Sequence, residues 1–196
     1  MTIANCDELF LRYFGPWLSE QDRVRRVYDA TRPDVEHLSC PADLAASDIS
    51  HLGSDGQLRA AEQIQKVFEA ASEDWKALLG MEGTPSLKWI AAFDRYFQRG
   101  QIQRVIERSD PTRYDNDYIV LCCELGSVLG EVLQSLEGRL SWLYDWPYWE
   151  SALYDTRTHS RINVFHWAVK KMSEYGVEDD LKGKLEACRT ILHERE

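Results

Sequence analysis

The 196-residue chain lacks a long hydrophobic run. Its uninterrupted apolar stretches are short, residues 119–123 being an example, whereas a membrane-spanning helix needs about 20 apolar residues. Residues 1–13 lack the cationic and then apolar pattern of a secretory leader, because Asp7 and Glu8 interrupt them. From these absences we expect a soluble, cytoplasmic protein with no membrane partner.

Paired cysteine spacing is also missing. The five cysteines are an odd number without regular intervals: Cys6, Cys40, Cys122, Cys123 and Cys188. A disulfide framework has an even number at regular spacing, so we expect buried, reduced thiols. His37, Cys40 and His51 lack the paired spacing of a structural zinc site. We therefore expect no metal and no cofactor.

Sequence signatures of catalysis are absent as well. The chain has no glycine-rich phosphate loop of the dinucleotide or P-loop type. Ser127 directly follows Gly126 within a predicted helix, which is not the arrangement of a nucleophile elbow. Nothing near His159 or His166 in the sequence positions either of them beside a cysteine. These absences favour a protein without enzymatic activity.

Acidic residues, in contrast, are in excess. The chain has 33 Asp and Glu against 23 Lys and Arg, a net charge of -10. Residues 114–156 contain eight acids and a single base, Arg139, so this segment alone carries a net charge of -7. Such a balance argues against nucleic acid as a partner, because phosphates attract basic rather than acidic surfaces.

Hydrophobic periodicity predicts a mainly helical α+β fold with one small antiparallel β-meander near residues 139–164. Alternation over residues 139–145 and 148–155, with a turn at Asp145-Trp146-Pro147, predicts the meander, and residues 161–164 add a short third strand. Apolar residues that recur every three or four positions predict helices over residues 19–31, 54–80, 85–100, 115–136, 163–176 and 180–192.

We expect a single domain over residues 1–196, in which a helical part, 1–110, packs on an α+β part, 111–196. Residues 32–53 are rich in Pro, Ser and Asp and are the best candidate for a linker. Gly126 and Gly130 lie one turn apart in a predicted helix, where each glycine costs about 1 kcal/mol relative to alanine. They predict that another element packs closely against this helix.

Residues 125–176 resemble a group of small uncharacterised bacterial domains. The resemblance rests on a helix with Leu-Gly-x-x-x-Gly-Glu, here Leu125, Gly126, Gly130 and Glu131, followed by a strand that carries Trp142. Similar domains occur among immunity proteins, which neutralise interbacterial toxins. The resemblance implies a role in protein interaction and no specific catalytic residue.

Our leading hypothesis is an acidic protein-binding module, an immunity protein that occludes the basic active site of a toxin. Large aromatic side chains dominate binding hot spots, and carboxylates around them steer a basic partner. The sequence places both near the predicted turn. The expected partner-binding residues are Asp145, Trp146, Tyr148, Trp149, Glu150 and Asp155.

The alternative is a small hydrolase or transferase. Glu124 and Glu131 are seven residues apart and share a helix face, so with a histidine they could serve acid–base chemistry in a cleft beside the meander. Solvent-facing charge explains both residues without catalysis, and a buried Glu131 that caps a neighbouring backbone is the structural alternative. A structural subunit is a third interpretation, and the sequence predicts no oligomeric state.

Overall fold

The computed structural model describes residues 3–20, 52–157, 160–177 and 180–194. Within these ranges the chain is mainly helical with one small antiparallel sheet, which confirms the predicted α+β class. The α-helices are α1 (Cys6–Tyr13), α2 (Ser54–Leu79), α3 (Leu87–Tyr96), α4 (Arg99–Arg108), α5 (Asp117–Leu136), α6 (Val164–Lys171) and α7 (Leu181–Glu194). The strands are β1 (Ser141–Leu143), β2 (Ala152–Asp155) and β3 (Ser160–Ile162). Short 3-10 helices cover Gly15–Trp17, Tyr148–Glu150 and Tyr175–Val177.

Helix α5 is the centre of the fold. The Asn116 side-chain oxygen accepts hydrogen bonds from the backbone N–H groups of Tyr118 and Ile119, at 3.1 and 3.0 Å, and so caps the helix. Residues 121–130 are all buried, and both α2 and α6 pack against the helix.

By length and composition α5 would also qualify as a membrane span, contrary to what the short apolar runs predict. It has 20 residues and a window of mean hydropathy 1.6, although 67% of that window is buried inside the protein. The buried core helix of a soluble protein passes this test as readily as a membrane span does, so the result is weak evidence for either.

The two glycines of α5 allow the close packing that the sequence predicts. A Cβ atom at Gly126 would lie 2.3 Å from Cδ1 of Phe165 in α6 and 2.9 Å from its Cα. A Cβ atom at Gly130 would lie 2.3 Å from Cζ2 of Trp142 in β1. Cβ contacts this short do not occur in real structures, so α6 and the sheet reach α5 because both positions are glycine.

The sheet has the order β1-β2-β3, with Trp142 opposite Leu153 and Leu153 opposite Ile162. The second strand is shorter than predicted. The Glu150 N–H group donates to the carbonyl of Pro147 at 2.8 Å, which forms a 3-10 turn after the cis Trp146–Pro147 bond. The strand therefore begins only at Ala152, because these turn hydrogen bonds replace the ladder.

Helix α1, capped by Asn5, lies in a segment for which the sequence predicts no helix. The apolar periodicity of α2 also predicts Leu58 and Leu78 within its buried stripe, but these side chains are 61% and 44% exposed. The buried residues of this helix are Ala60, Ile64, Ala71 and Trp75, and Leu58 lies about 200° around the helix from Ala60, which turns it to solvent.

The core draws on both predicted parts of the chain. Among the described residues, buried side chains from all seven helices and from the sheet form one hydrophobic cluster. Cys6, Cys122 and Cys123 are buried within it and form no disulfide, as predicted, whereas Cys188 is only half-buried. Most of the predicted helix at 19–31 and of the linker at 32–53 lies outside the described residues, as do His37, Cys40 and His51.

Candidate protein-binding surface

The structure buries most of the residues that we expected to face a partner. Five of the six are buried: Asp145, Tyr148, Trp149, Glu150 and Asp155. Trp149 is 2% exposed and Asp155 is fully buried, and only Trp146 among the six is half-buried. The prediction that this bend faces outward is therefore wrong for five of its residues.

The buried acids have partners that the local sequence does not reveal. Arg139 Nε lies 3.2 Å from Oδ2 of Asp155. The Glu150 carboxylate lies 3.9 Å from Nε2 of His166, sixteen residues further along the chain. A carboxylate without a partner is costly to bury, so the fold supplies partners from several elements. The Asp145 carboxylate accepts a hydrogen bond from the backbone N–H of Trp146 at 2.8 Å.

Other acids of the same segment are paired in the same way. Glu137, which is buried, lies 2.7 Å from Nε of Arg189 and 3.3 Å from Nε2 of His193, both in α7. The exposed carboxylates of Asp115 and Asp117 pair with Arg113 and Arg108 at 2.8 and 2.6 Å. Four of the eight acids in residues 114–156 thus pair with arginines, three of which (Arg108, Arg113 and Arg189) lie outside the segment. The excess charge of the segment is therefore partly compensated within the molecule.

Glu124 and Glu131 both have structural partners. Glu124 is 7% exposed, and its Oε2 accepts a hydrogen bond from the Trp75 indole N–H at 3.1 Å. Burial raises the pKa of Glu124 to about 7, and the hydrogen bond from Trp75 acts against this rise. Burial also raises the pKa of Glu131, which is half-buried and hydrogen-bonded to Trp142.

Two open pockets among the described residues do not involve these carboxylates. Their linings include Asp94 with Lys171 and Arg189 with His193, and they contain neither Glu124 nor Glu131.

His166 lies beside a narrow void. The void is lined by His166, Cys122 and Cys123 and by apolar side chains such as Phe165, and it is too narrow for a water molecule. Burial raises the pKa of the Cys123 thiol to about 12, so this thiol is not a nucleophile at neutral pH. His159, the other histidine considered, lies outside the described residues.

A different set of aromatic side chains reaches the surface. Tyr114 is 44% exposed, and Trp17 and Trp146 are half-buried. Trp17 meets Tyr114 edge-on with ring centroids 5.4 Å apart. The guanidinium of Arg59, an exposed residue of α2, lies 4.0 Å from the centroid of the Trp146 ring. We call Trp17, Tyr114, Trp146 and Arg59 the aromatic rim.

Two buried aromatic residues, Tyr148 and Trp149, pack against the aromatic rim. Trp149 contacts Tyr114 at 5.6 Å between centroids and Tyr148 at 5.3 Å, and Tyr148 in turn lies 6.4 Å from Trp146. Aromatic pairs at these distances are attractive beyond the area that they bury. The predicted residues Tyr148 and Trp149 thus contribute to the surface indirectly, by fixing the position of the rings above them.

Exposed acids flank the rim on α2. Asp55 and Glu62 lie four residues before and three residues after Arg59, so the three side chains share one helix face. Leu58 is exposed beside them. In the part of the chain that the structure describes, neither Asp55 nor Glu62 forms an ion pair. Among the described residues they add unpaired negative charge beside the rim.

Sequence reasoning found Trp146 and missed the rest of the rim. Trp17 follows α1, Tyr114 precedes α5, and Arg59 is one of several bases on α2. The three come from segments more than 40 residues apart, so no local pattern joins them. The one available signal was residue type, since Trp, Tyr and Arg are enriched at binding hot spots.

Comparison with known proteins supplies no family. No protein-family model, curated protein or solved structure matches the chain. The interpretation of the rim therefore rests on its geometry and chemistry.

Proposed function

We propose that the chain is a non-enzymatic protein-binding module, an immunity protein that neutralises a basic toxin by occluding its active site. In this proposal the aromatic rim is the binding surface, in place of the buried bend that the sequence suggested. The observation that carries it is the set of exposed or half-buried Trp, Tyr and Arg side chains of the rim, which buried rings hold in place. Such residues dominate interface energetics, and side chains that are already held in place lose little entropy on binding.

The charge of the surroundings favours a basic partner. Asp55 and Glu62 flank the rim, and the chain as a whole carries a net charge of -10. Complementary charge accelerates encounter and suppresses wrong partners. Glu124 and Glu131, the carboxylates of the alternative, hydrogen-bond to the indoles of Trp75 and Trp142, which is consistent with a structural role.

The first test replaces the exposed rings of the rim. The partner is identified by co-purification from the source organism, and its affinity for purified variants is then measured by surface plasmon resonance. Tyr114→Ala and Trp146→Ala should each raise Kd at least about tenfold, the effect of losing a binding hot spot. Tyr175→Ala is the matched control, because Tyr175 is also an exposed tyrosine, 55% exposed, but lies outside the rim. It should bind like the wild type.

The second arm of the test concerns charge and inhibition. Asp55→Asn with Glu62→Gln should slow association and flatten its dependence on salt, because these acids would steer the partner. Glu69→Gln with Glu73→Gln, exposed on the same helix beyond the rim, is the control. Co-expression of the chain should also protect cells from the partner's toxicity.

Two results would contradict the proposal. Unchanged affinity in both rim variants would remove the rim as the binding surface. Tight binding without protection would remove the immunity role and leave a binding module of another kind.

A further inference from the structure

The Trp146 ring already holds a cation. The guanidinium of Arg59 lies over its face at 4.0 Å from the centroid, a position in which the negative face of the ring attracts positive charge. No ion pair is formed by Arg59 within the described ranges. The contact with Trp146 is thus the interaction that orients this exposed arginine.

A second aromatic group lies near the same cation. Tyr114, 44% exposed, contacts Trp149, which is linked to Trp146 through the ring of Tyr148. Burial raises the pKa of Tyr114 to about 12, and the positive charge of Arg59 acts in the opposite direction, which reflects their proximity. The phenol is neutral at physiological pH and adds to an aromatic setting around the cation.

The helix face that carries Arg59 supplies negative charge. Asp55 and Glu62 lie within one turn on either side of it, and both are exposed without an ion-pair partner among the described residues. Aromatic faces combined with carboxylates are the chemistry that binds lysine, arginine and other organic cations. The site is therefore suited to a cation whether or not Arg59 occupies it.

We propose that Arg59 occupies, in the free protein, a seat on Trp146 that a lysine or arginine side chain of the partner takes on binding. The seat consists of the Trp146 face, the nearby Tyr114 ring and the carboxylates of Asp55 and Glu62. The inference rests on the proposed function, because it names the group of the basic partner that the rim receives. Arg59 lies on an exposed helix face, so its side chain can adopt a solvent-exposed rotamer when the partner's cation displaces it from Trp146.

The test uses a hexa-arginine peptide as the probe and follows the Trp146 indole N–H by NMR. Arg59→Met keeps an unbranched apolar side chain and removes the competing charge. It should bind the peptide roughly threefold more tightly than the wild type, the gain from removing a cation–π competitor at an exposed site. Trp146→Leu in the Arg59→Met background should lose this gain.

The matched control is Lys66→Met, which removes one positive charge from the same helix two turns further on. A general electrostatic gain would tighten both variants equally, and that result would overturn the proposal, as would weaker or unchanged binding by Arg59→Met. Chemical-shift changes that leave the Trp146 indole N–H signal unaffected when the peptide binds would overturn it as well.

The experiment separates this inference from the proposed function. The peptide reports on the seat without any toxin. If the seat binds the peptide and the rim variants still bind the natural partner normally, the proposed function fails and the seat remains. If the rim variants bind the natural partner more weakly while Arg59→Met binds the peptide no more tightly than the wild type, the proposed function stands. The proposal of a cation seat on Trp146 is then wrong.

Discussion

Gly126→Ala is expected to lower the free energy of unfolding by about 3 kcal/mol, the upper part of the range for overpacked cores. The added methyl group would lie 2.9 Å from the Cα atom of Phe165. A backbone atom cannot turn away as a side chain does, so α6 as a whole must move back from α5. Urea denaturation followed by circular dichroism measures the loss.

Two other glycines provide the controls. Gly100→Ala lies in α4, where the nearest atom to a new Cβ is the end of the Arg104 side chain at 4.0 Å, and it should stabilise the protein by up to about 1 kcal/mol. Gly130→Ala should cost less than Gly126→Ala, because its new methyl group meets the ring of Trp142, which is half-buried and can shift. A Gly126→Ala protein as stable as the wild type would contradict the packing of α6 on α5.

This glycine pair shows what the sequence predicts well. The helix and the close approach at Gly126 and Gly130 follow from periodicity and from the cost of glycine inside a helix. Both signals lie within about 20 residues. The sequence does not show which residues pack against the two glycines. These are Phe165, which contacts Gly126, and Trp142, which contacts Gly130.

The site could be predicted far less well, for a physical reason. Counting charges along residues 114–156 treats each acid as solvated, but Glu137 pairs with Arg189 and Asp155 with Arg139. Once the chain folds, distant bases and indole groups neutralise or hydrogen-bond the acids. Several of the acids clustered in residues 114–156 therefore make polar contacts within the protein. The aromatic rim, in contrast, is formed by residues from separate segments of the chain.

Glu124→Gln is expected to remove a pH dependence from the stability of the protein. Glu124 lies between α5 and α2 and accepts a hydrogen bond from Trp75. Burial raises its pKa from the ordinary 4.5 to about 7, and the charge of Asp74 adds to the rise. The nearby Cys123 and Tyr148 stay protonated near neutrality, because burial raises the pKa of both groups.

The direction of the effect follows from the protons bound in each state. Between pH 4.5 and 7 the folded protein retains a proton on Glu124 that the unfolded chain has lost, so the free energy of unfolding falls as pH rises through this window. Below pH 4.5 both states are protonated and the effect vanishes. Between pH 5 and pH 8 the wild type should therefore lose about 2 to 3 kcal/mol from this group.

Urea denaturation of the wild type and of Glu124→Gln at pH 5, 6, 7 and 8 isolates this contribution, because every other titrating group is common to both proteins. Glutamine keeps an oxygen that can accept the Trp75 hydrogen bond and has no charge to bury, so the variant should have the flatter profile. Glu73→Gln, at an exposed position on α2 paired with Lys76, should retain the wild-type profile. Trp75→Phe should extend the decline to higher pH, since it removes the donor that favours the ionised carboxylate and so raises the pKa of Glu124 in the folded state further. Parallel profiles for the wild type and Glu124→Gln would show that Glu124 does not change its protonation on folding.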